Sequence, residues 1–239
     1  LLPLTEGRLL AGTYGGGLSL FGFAPRDDLE TKTAPPTDTA PLEVSRPQVP
    51  FAFPPPDTEP AAAAYLGEDR QTMGDWIGRY GRTAWILAAM GMPTDYRGGP
   101  GLAQIEWGVR MGPKRREGDS LRRWTHWKTT ENPKSLQNPL SPSRRQASWD
   151  DAGEVYPPDF GGPDLHLDLA LPEGDFMVSL YFVNIDCLEC PAAWRTSDGY
   201  RLPNRFRDYV VAVAAGGDVA RTRVGRFNSG VYKRFHVRG

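Results

Sequence analysis

Cysteine is nearly absent from this sequence: Cys187 and Cys190 are the only two in 239 residues. A chain this long can bury a core large enough to fold without disulfide staples. Histidine is also scarce. His126, His166 and His236 are far apart, and neither an HExxH spacing nor a Gly-x-Ser-x-Gly elbow occurs, so the common zinc-hydrolase and serine-hydrolase signatures are missing. Long hydrophobic runs are lacking. The longest uncharged apolar stretch, Ala84 to Met92, falls far short of the about 20 residues of a spanning helix, so no membrane span and a soluble chain are expected. An excess of one charge is lacking too: 28 basic residues face 29 acidic ones. That balance argues against nucleic acid as a partner, because phosphate neutralisation calls for a basic surplus. The opening Leu1-Leu2-Pro3-Leu4 has neither an initiator Met nor a charged signal-peptide region, as expected of a processed or excerpted chain.

What the chain has in plenty is turn formers, 27 glycines and 23 prolines, against a usual combined share of roughly 12%. Such a composition disfavours a helical bundle and fits an all-β, loop-rich fold. Residues 24–60 hold ten of the prolines, including Pro35-Pro36 and Pro54-Pro55-Pro56. Proline fixes φ and removes a donor, so an extended linker is expected there. It divides a short N-terminal piece, residues 1–23, from a large domain over 61–239.

Charge is unevenly distributed along the chain. Residues 110–145 hold 10 basic and 3 acidic groups, 146–194 hold 0 and 10, and 195–239 hold 10 and 3. Neutralisation between neighbouring strands of one domain is the expected use of this pattern. Complementary faces on successive copies or partners are the alternative.

Strand signals fill the large domain. Ile105, Trp107, Val109 and Met111 alternate with Glu106, Gly108 and Arg110, and Leu165, Leu167, Leu169 and Leu171 with His166, Asp168 and Ala170. Period two means one buried face. Pro172-Glu173-Gly174-Asp175 then predicts a hairpin turn into Phe176–Ile185, whose nearly continuous apolar character suits a central strand covered on both faces. Further strands are predicted at 85–89, 121–128, 209–214, 219–227 and 231–237, giving about eight and therefore a β-sandwich. The alanines at 61–64 could begin one helical turn, which Gly67 would interrupt.

The segment Arg8–Phe21, with Gly15-Gly16-Gly17 at its centre, reads as a short β-hairpin. It lacks the Lys-Ser/Thr of a phosphate loop. It looks like the last hairpin of a β-propeller blade of the kind repeated in bacterial sensor proteins.

The run Tyr65-Leu66-Gly67-Glu68-Asp69-Arg70-Gln71-Thr72-Met73-Gly74-Asp75-Trp76-Ile77-Gly78-Arg79-Tyr80-Gly81 resembles the opening of galactose-binding-like jelly-roll modules in large secreted bacterial proteins. Arg144–Trp149, Leu180–Asp186 and Phe227–Tyr232 agree in order, so the resemblance covers 61–239. It implies an extracellular or cell-surface, non-catalytic, jelly-roll-like antiparallel β-sandwich, with carbohydrate or a protein as partner. In such modules one more strand commonly follows, so the 231–237 strand is expected to lie at an open edge. The recurring rings Trp76, Tyr80, Trp85, Trp107 and Trp149 are expected in the core, where they fill space between sheets.

The sequence departs from the pattern at 187–205. There Trp194, Arg195, Asp198, Tyr200 and Arg201 form the candidate ligand-binding loop, with aromatics to stack on a sugar ring or anchor a protein and polar groups to read hydroxyls. Cys187-x-x-Cys190 has no βαβ context, no following haem-attachment histidine and too few ligands for zinc. In the extracellular location that the resemblance implies, the two are expected to form a local disulfide. No catalytic residue, metal site or cofactor is expected. Asp150, Asp151, Glu154, Asp159 and Asp164 match no calcium loop. Arg122–Lys128 interleaves basic and aromatic residues, but strand alternation would point Trp124 and Trp127 to opposite faces and deny them a common platform. A binding module is thus the leading expectation. A structural subunit that self-assembles through an open edge and charge complementarity is the alternative, and a glycoside hydrolase the third.

Overall fold

The structure is a computed structural model that describes residues 8–11, 17–21, 61–112, 120–150, 164–184, 208–225 and 229–239. The chain is all-β, and its strands pair antiparallel in two sheets. The first sheet runs in the order β13 (Asp218–Gly225), β12 (Asp208–Ala215), β1 (Arg8–Ala11), β10 (Leu165–Ala170), β6 (Glu106–Met111). The second runs β3 (Ala63–Asp69), β14 (Gly230–Arg238), β11 (Asp175–Val183), β2 (Gly17–Phe21), β4 (Trp85–Leu87), β5 (Tyr96–Gly98). From β2 this sheet also branches through β9 (Arg144–Asp150) to β7 (Arg122–Thr130) and β8 (Leu136–Gln137).

The alternation seen in the sequence builds the core between the sheets. Leu165, Leu167, Leu169, Val211 and Val213 of the first sheet share one cluster with Phe176, Val178, Leu180, Phe182, Val231, Phe235 and Val237 of the second. Trp149 and Trp107 stack within it, ring centroids 6.0 Å apart. β11 is indeed buried along both faces. Its other face carries Tyr181 and Val183, which join Tyr232, Trp76, Tyr80, Leu87, Met90 and Leu136 in a second core.

The Tyr65–Gly81 motif makes that second core. Gly74 N–H donates to the Pro133 carbonyl at 2.9 Å, Gln137 N–H donates to the Gly74 carbonyl at 3.1 Å, and the Trp76 indole donates to the Gln137 carbonyl at 2.9 Å. A short sequence thus lies over the sheet and is tied to the 132–138 segment. Trp76, Tyr80 and Trp149 are buried, as expected of core rings, and Trp85 and Trp107 are partly buried against them.

Several pairings differ from expectation. β10 and β11 do not form a hairpin: β10 pairs with β1 and β6, and β11 with β14 and β2. The 172–175 turn carries the chain from one sheet to the other. β1 and β2 likewise enter different sheets rather than pair with each other. The alanines at 63–64 open a strand, not a helical turn, and Gly67, at φ +112°, sits where β3 slips register against Arg234 and Phe235 of β14. That bulge on an edge strand obstructs further pairing. Finally, β14 is not at an edge. It lies between β11 and β3, so the chain itself supplies the strand that covers it.

The oppositely charged segments do meet inside the fold. Arg110 pairs with Asp168 at 2.8 Å, and Asp175 receives His236 at 2.6 Å and Arg238 at 3.5 Å. His166 and His236 are buried, on separate strands. Burial and the neighbouring Arg110 hold the His166 pKa below its ordinary value, against the pull of Asp164 and Asp168. The proline-rich stretch 24–60 lies outside the described residues.

Candidate ligand platform on strand β7

Among the described residues β7 has one strand partner, β9, and so forms an edge of the second sheet. Its two sides differ. Arg123 pairs with Asp95 at 3.2 Å and Thr125 donates to the Ala89 carbonyl at 2.8 Å, so these residues anchor the strand to the buried turn after β4. Asp95 is itself fixed, accepting from Ala89 N–H at 2.7 Å and from the Trp149 indole at 2.9 Å. The alternate residues, Arg122, Trp124 and His126, are turned the other way.

Those outward residues touch one another. The Arg122 guanidinium carbon lies 5.1 Å from the Trp124 ring centroid, and the Trp124 indole N–H donates to His126 Nδ1 at 3.4 Å. The His126 ring lies 4.8 Å from the Trp127 ring, at 59° between planes. Trp127 reaches the row because the strand is bulged. Thr125 faces Ala147 but Trp127 faces Gln146, so β7 spends one extra residue there, and Trp127 falls on the side that strict alternation would deny it. The sequence-based objection to a common platform therefore fails. No local signal in 122–128 would have shown this, because the slip exists only relative to β9.

Trp124 is 46% exposed, an unusual position for an indole, and His126 and Lys128 are exposed beside it. The row is basic. β7 carries Arg122, Arg123, His126 and Lys128 and no carboxylate, while β9 adds Arg144, Arg145 and, opposite Arg122, Asp150. Arg144 is taken up by Asp75, and Arg145 by the Met90 and Lys128 carbonyls.

The loop candidates Trp194, Arg195, Asp198, Tyr200 and Arg201 lie outside the described residues, as do Cys187 and Cys190 and the acidic residues Asp151, Glu154 and Asp159. Among the described residues no group of three or more His, Cys, Asp or Glu side chains is placed to hold a metal ion, and no helix is long and apolar enough to cross a membrane. Comparison with protein-family models, with curated proteins and with solved structures gives no match to this chain.

Proposed function

We propose that this chain is an extracellular, non-catalytic β-sandwich module of the galactose-binding-like jelly-roll kind, and that it binds carbohydrate through the Trp124 row on β7. The observation that carries the reading is an indole nearly half exposed on a strand whose reverse side is pinned to buried groups. An exposed Trp on a rigid sheet offers a flat apolar face at little entropic cost, and the C–H face of a pyranose ring is its natural complement. The neighbouring imidazole and cations supply donors for hydroxyl groups.

Glycan-array binding by the full chain tests this. Binding that disappears in Trp124→Ala, with the unfolding midpoint unchanged, is the expected result. Salt-sensitive self-association without glycan binding would replace the reading with that of a structural subunit. Glycan hydrolysis abolished by one Asp or Glu substitution would replace it with that of an enzyme.

A further inference from the structure

We infer that β1 and β2 form a transferable strand pair, and that the slot they fill in the two sheets accepts the same pair from a second copy of this chain, an association that needs no glycan. The slot is internal to both sheets. β1 lies between β10, paired through Arg8–Ala11, and β12, paired through Leu9–Ala11. β2 lies between β11, paired through Gly17–Phe21, and a divided row in which β9 meets Leu18 and β4 meets Leu20 and Phe21. Without the pair both hydrogen-bonded ladders come apart. β12 and β13 lose their link to β10 and β6, while β11, β14 and β3 lose theirs to β4 and β5 and to β7, β8 and β9.

The sheets need these strands, yet the chain ties them to the sheets only at long range. No partner of β1 or β2 is near it in sequence: the nearest, β4, begins at Trp85. The pair joins the other described strands through residues 22–62 alone. Fully extended, a tether of that length reaches on the order of 130 Å, whereas a domain of 239 residues has a radius of gyration of about 18 Å. Such a tether can carry the pair into a neighbouring copy. Exchange remakes every ladder hydrogen bond in the same register, so the choice between own slot and neighbour's slot rests on concentration. A tight turn would give the pair's own slot an effective concentration that no neighbour could match. A long tether lowers it, roughly as the −3/2 power of length, into the millimolar range or below, where crowded copies compete. Reciprocal exchange between two copies fills both slots and leaves no strand unplaced, so the product is a closed two-fold dimer and not an open fibre. Strand pairing holds it together, which separates it from assembly through complementary charged faces.

The register supplies the test. Arg8 stands opposite Asp168 across the β1–β10 ladder, and directly opposed strand residues are close enough for a disulfide. Full chain carrying Arg8→Cys is mixed with full chain carrying Asp168→Cys, unfolded in urea, refolded together and oxidised, and peptide mapping of the covalent dimer reads the link between positions 8 and 168. That link is expected, with a yield that rises several-fold from about 0.05 to about 0.5 mM protein and holds in high salt. The chain carrying both substitutions should close the same link within itself at the lower concentration. Arg97→Cys, exposed on β5, takes the place of Asp168→Cys to measure chance collision. A yield no greater than with Arg97→Cys, one that collapses in high salt, or no link in the mixture while the double variant closes, would overturn the inference and leave the carbohydrate reading standing. A double variant that fails to close would overturn it too, since β1 would then not occupy the slot.

Discussion

Tyr80 lies flat on Tyr232, ring centroids 4.1 Å apart and planes 16° apart, and its hydroxyl donates to Asp69 Oδ2 at 2.8 Å. One side chain thus joins the motif segment to β14 through its ring and to the end of β3 through its hydroxyl. Tyr232 in turn lies 4.5 Å from Tyr181 and donates its hydroxyl to the Met73 carbonyl at 2.7 Å. The two attachments of Tyr80 have different weights. Tyr80→Phe keeps the ring and should cost about 1.5 kcal/mol, a hydrogen bond to a charged acceptor. Tyr80→Ala also empties the ring's place and should cost about 3–5 kcal/mol. Urea unfolding measures both; equal losses would mean that the stack contributes nothing.

Asp69 gives a pH dependence of definite sign. Burial pushes its carboxyl up, but donation from the Thr72 hydroxyl and N–H, the Tyr80 hydroxyl and the Gln71 N–H outweighs burial and holds it below its ordinary value of 3.8. As pH falls past about 4 the unfolded chain takes up this proton before the native protein does. The stabilisation is complete above the ordinary value and lost as pH falls through the depressed one. Glu68 and Asp175 are shifted the same way, in each case with burial opposing and hydrogen-bonded cations or imidazole prevailing. Urea midpoints measured from about pH 5 down to pH 2.5 should therefore decline below pH 4, less steeply in Asp69→Asn. A flat wild-type profile would contradict this.

Much of the sandwich was legible because period-two runs report burial directly. Leu165, Leu167 and Leu169 face inward, and Phe176–Val183 is covered on both sides, as the apolar pattern says. Partnership was not legible in the same way. A strand, a four-residue turn and a strand describe a hairpin and a crossover between sheets equally well, so the pattern alone predicts a β10–β11 pair that the two sheets do not contain. The genuine two-residue hairpin at Gly216-Gly217 declares itself by glycine at two positions of positive φ, +53° and +90°. β3 was missed because alanine favours helix locally, and pairing with β14 overrides that weak preference. The Trp124 row was missed because its deciding feature, the extra residue at His126, is a relation between β7 and β9 and leaves no mark within either.

Two of the four glycines of the motif, Gly74 and Gly78, should respond very unequally to substitution. A Cβ at Gly74 would collide with the carbonyl groups of Ser135 and Pro133, backbone atoms that also hold the segment to the sheet. Gly78, at φ +83°, has nothing near the Cβ position, so there only conformational strain opposes a side chain. Gly78→Ala should cost about 1 kcal/mol. Gly74→Ala should cost several-fold more, because backbone must move, and thermal unfolding should show the larger drop. A mild Gly74→Ala would show that the contact between the 72–76 and 132–137 segments can yield.

Lys233 and Glu68 give the most stringent test of the electrostatics. Strand register puts Lys233 opposite Glu68 on one side and Leu180 on the other, on the face that carries Val231 and Phe235 into the core. Its side chain is 4% exposed; Nζ lies 2.5 Å from Glu68 Oε2 and 5.6 Å from the Tyr65 ring centre. Glu68 is better placed, about one-third exposed and also bonded to Arg70 at 2.6 Å. The two single substitutions are therefore unequal. Lys233→Met keeps most of the stem volume and leaves Glu68 with Arg70 and water, so stability should change by less than about 1 kcal/mol. Glu68→Met leaves an ammonium buried beside a phenol and should cost about 3 kcal/mol. The double substitution Glu68→Met with Lys233→Met should recover most of the loss, since no charge remains to be stranded. Guanidinium unfolding decides the matter: equal losses in the two single variants, or no recovery in the double one, would mean that the lysine is solvated in the native protein.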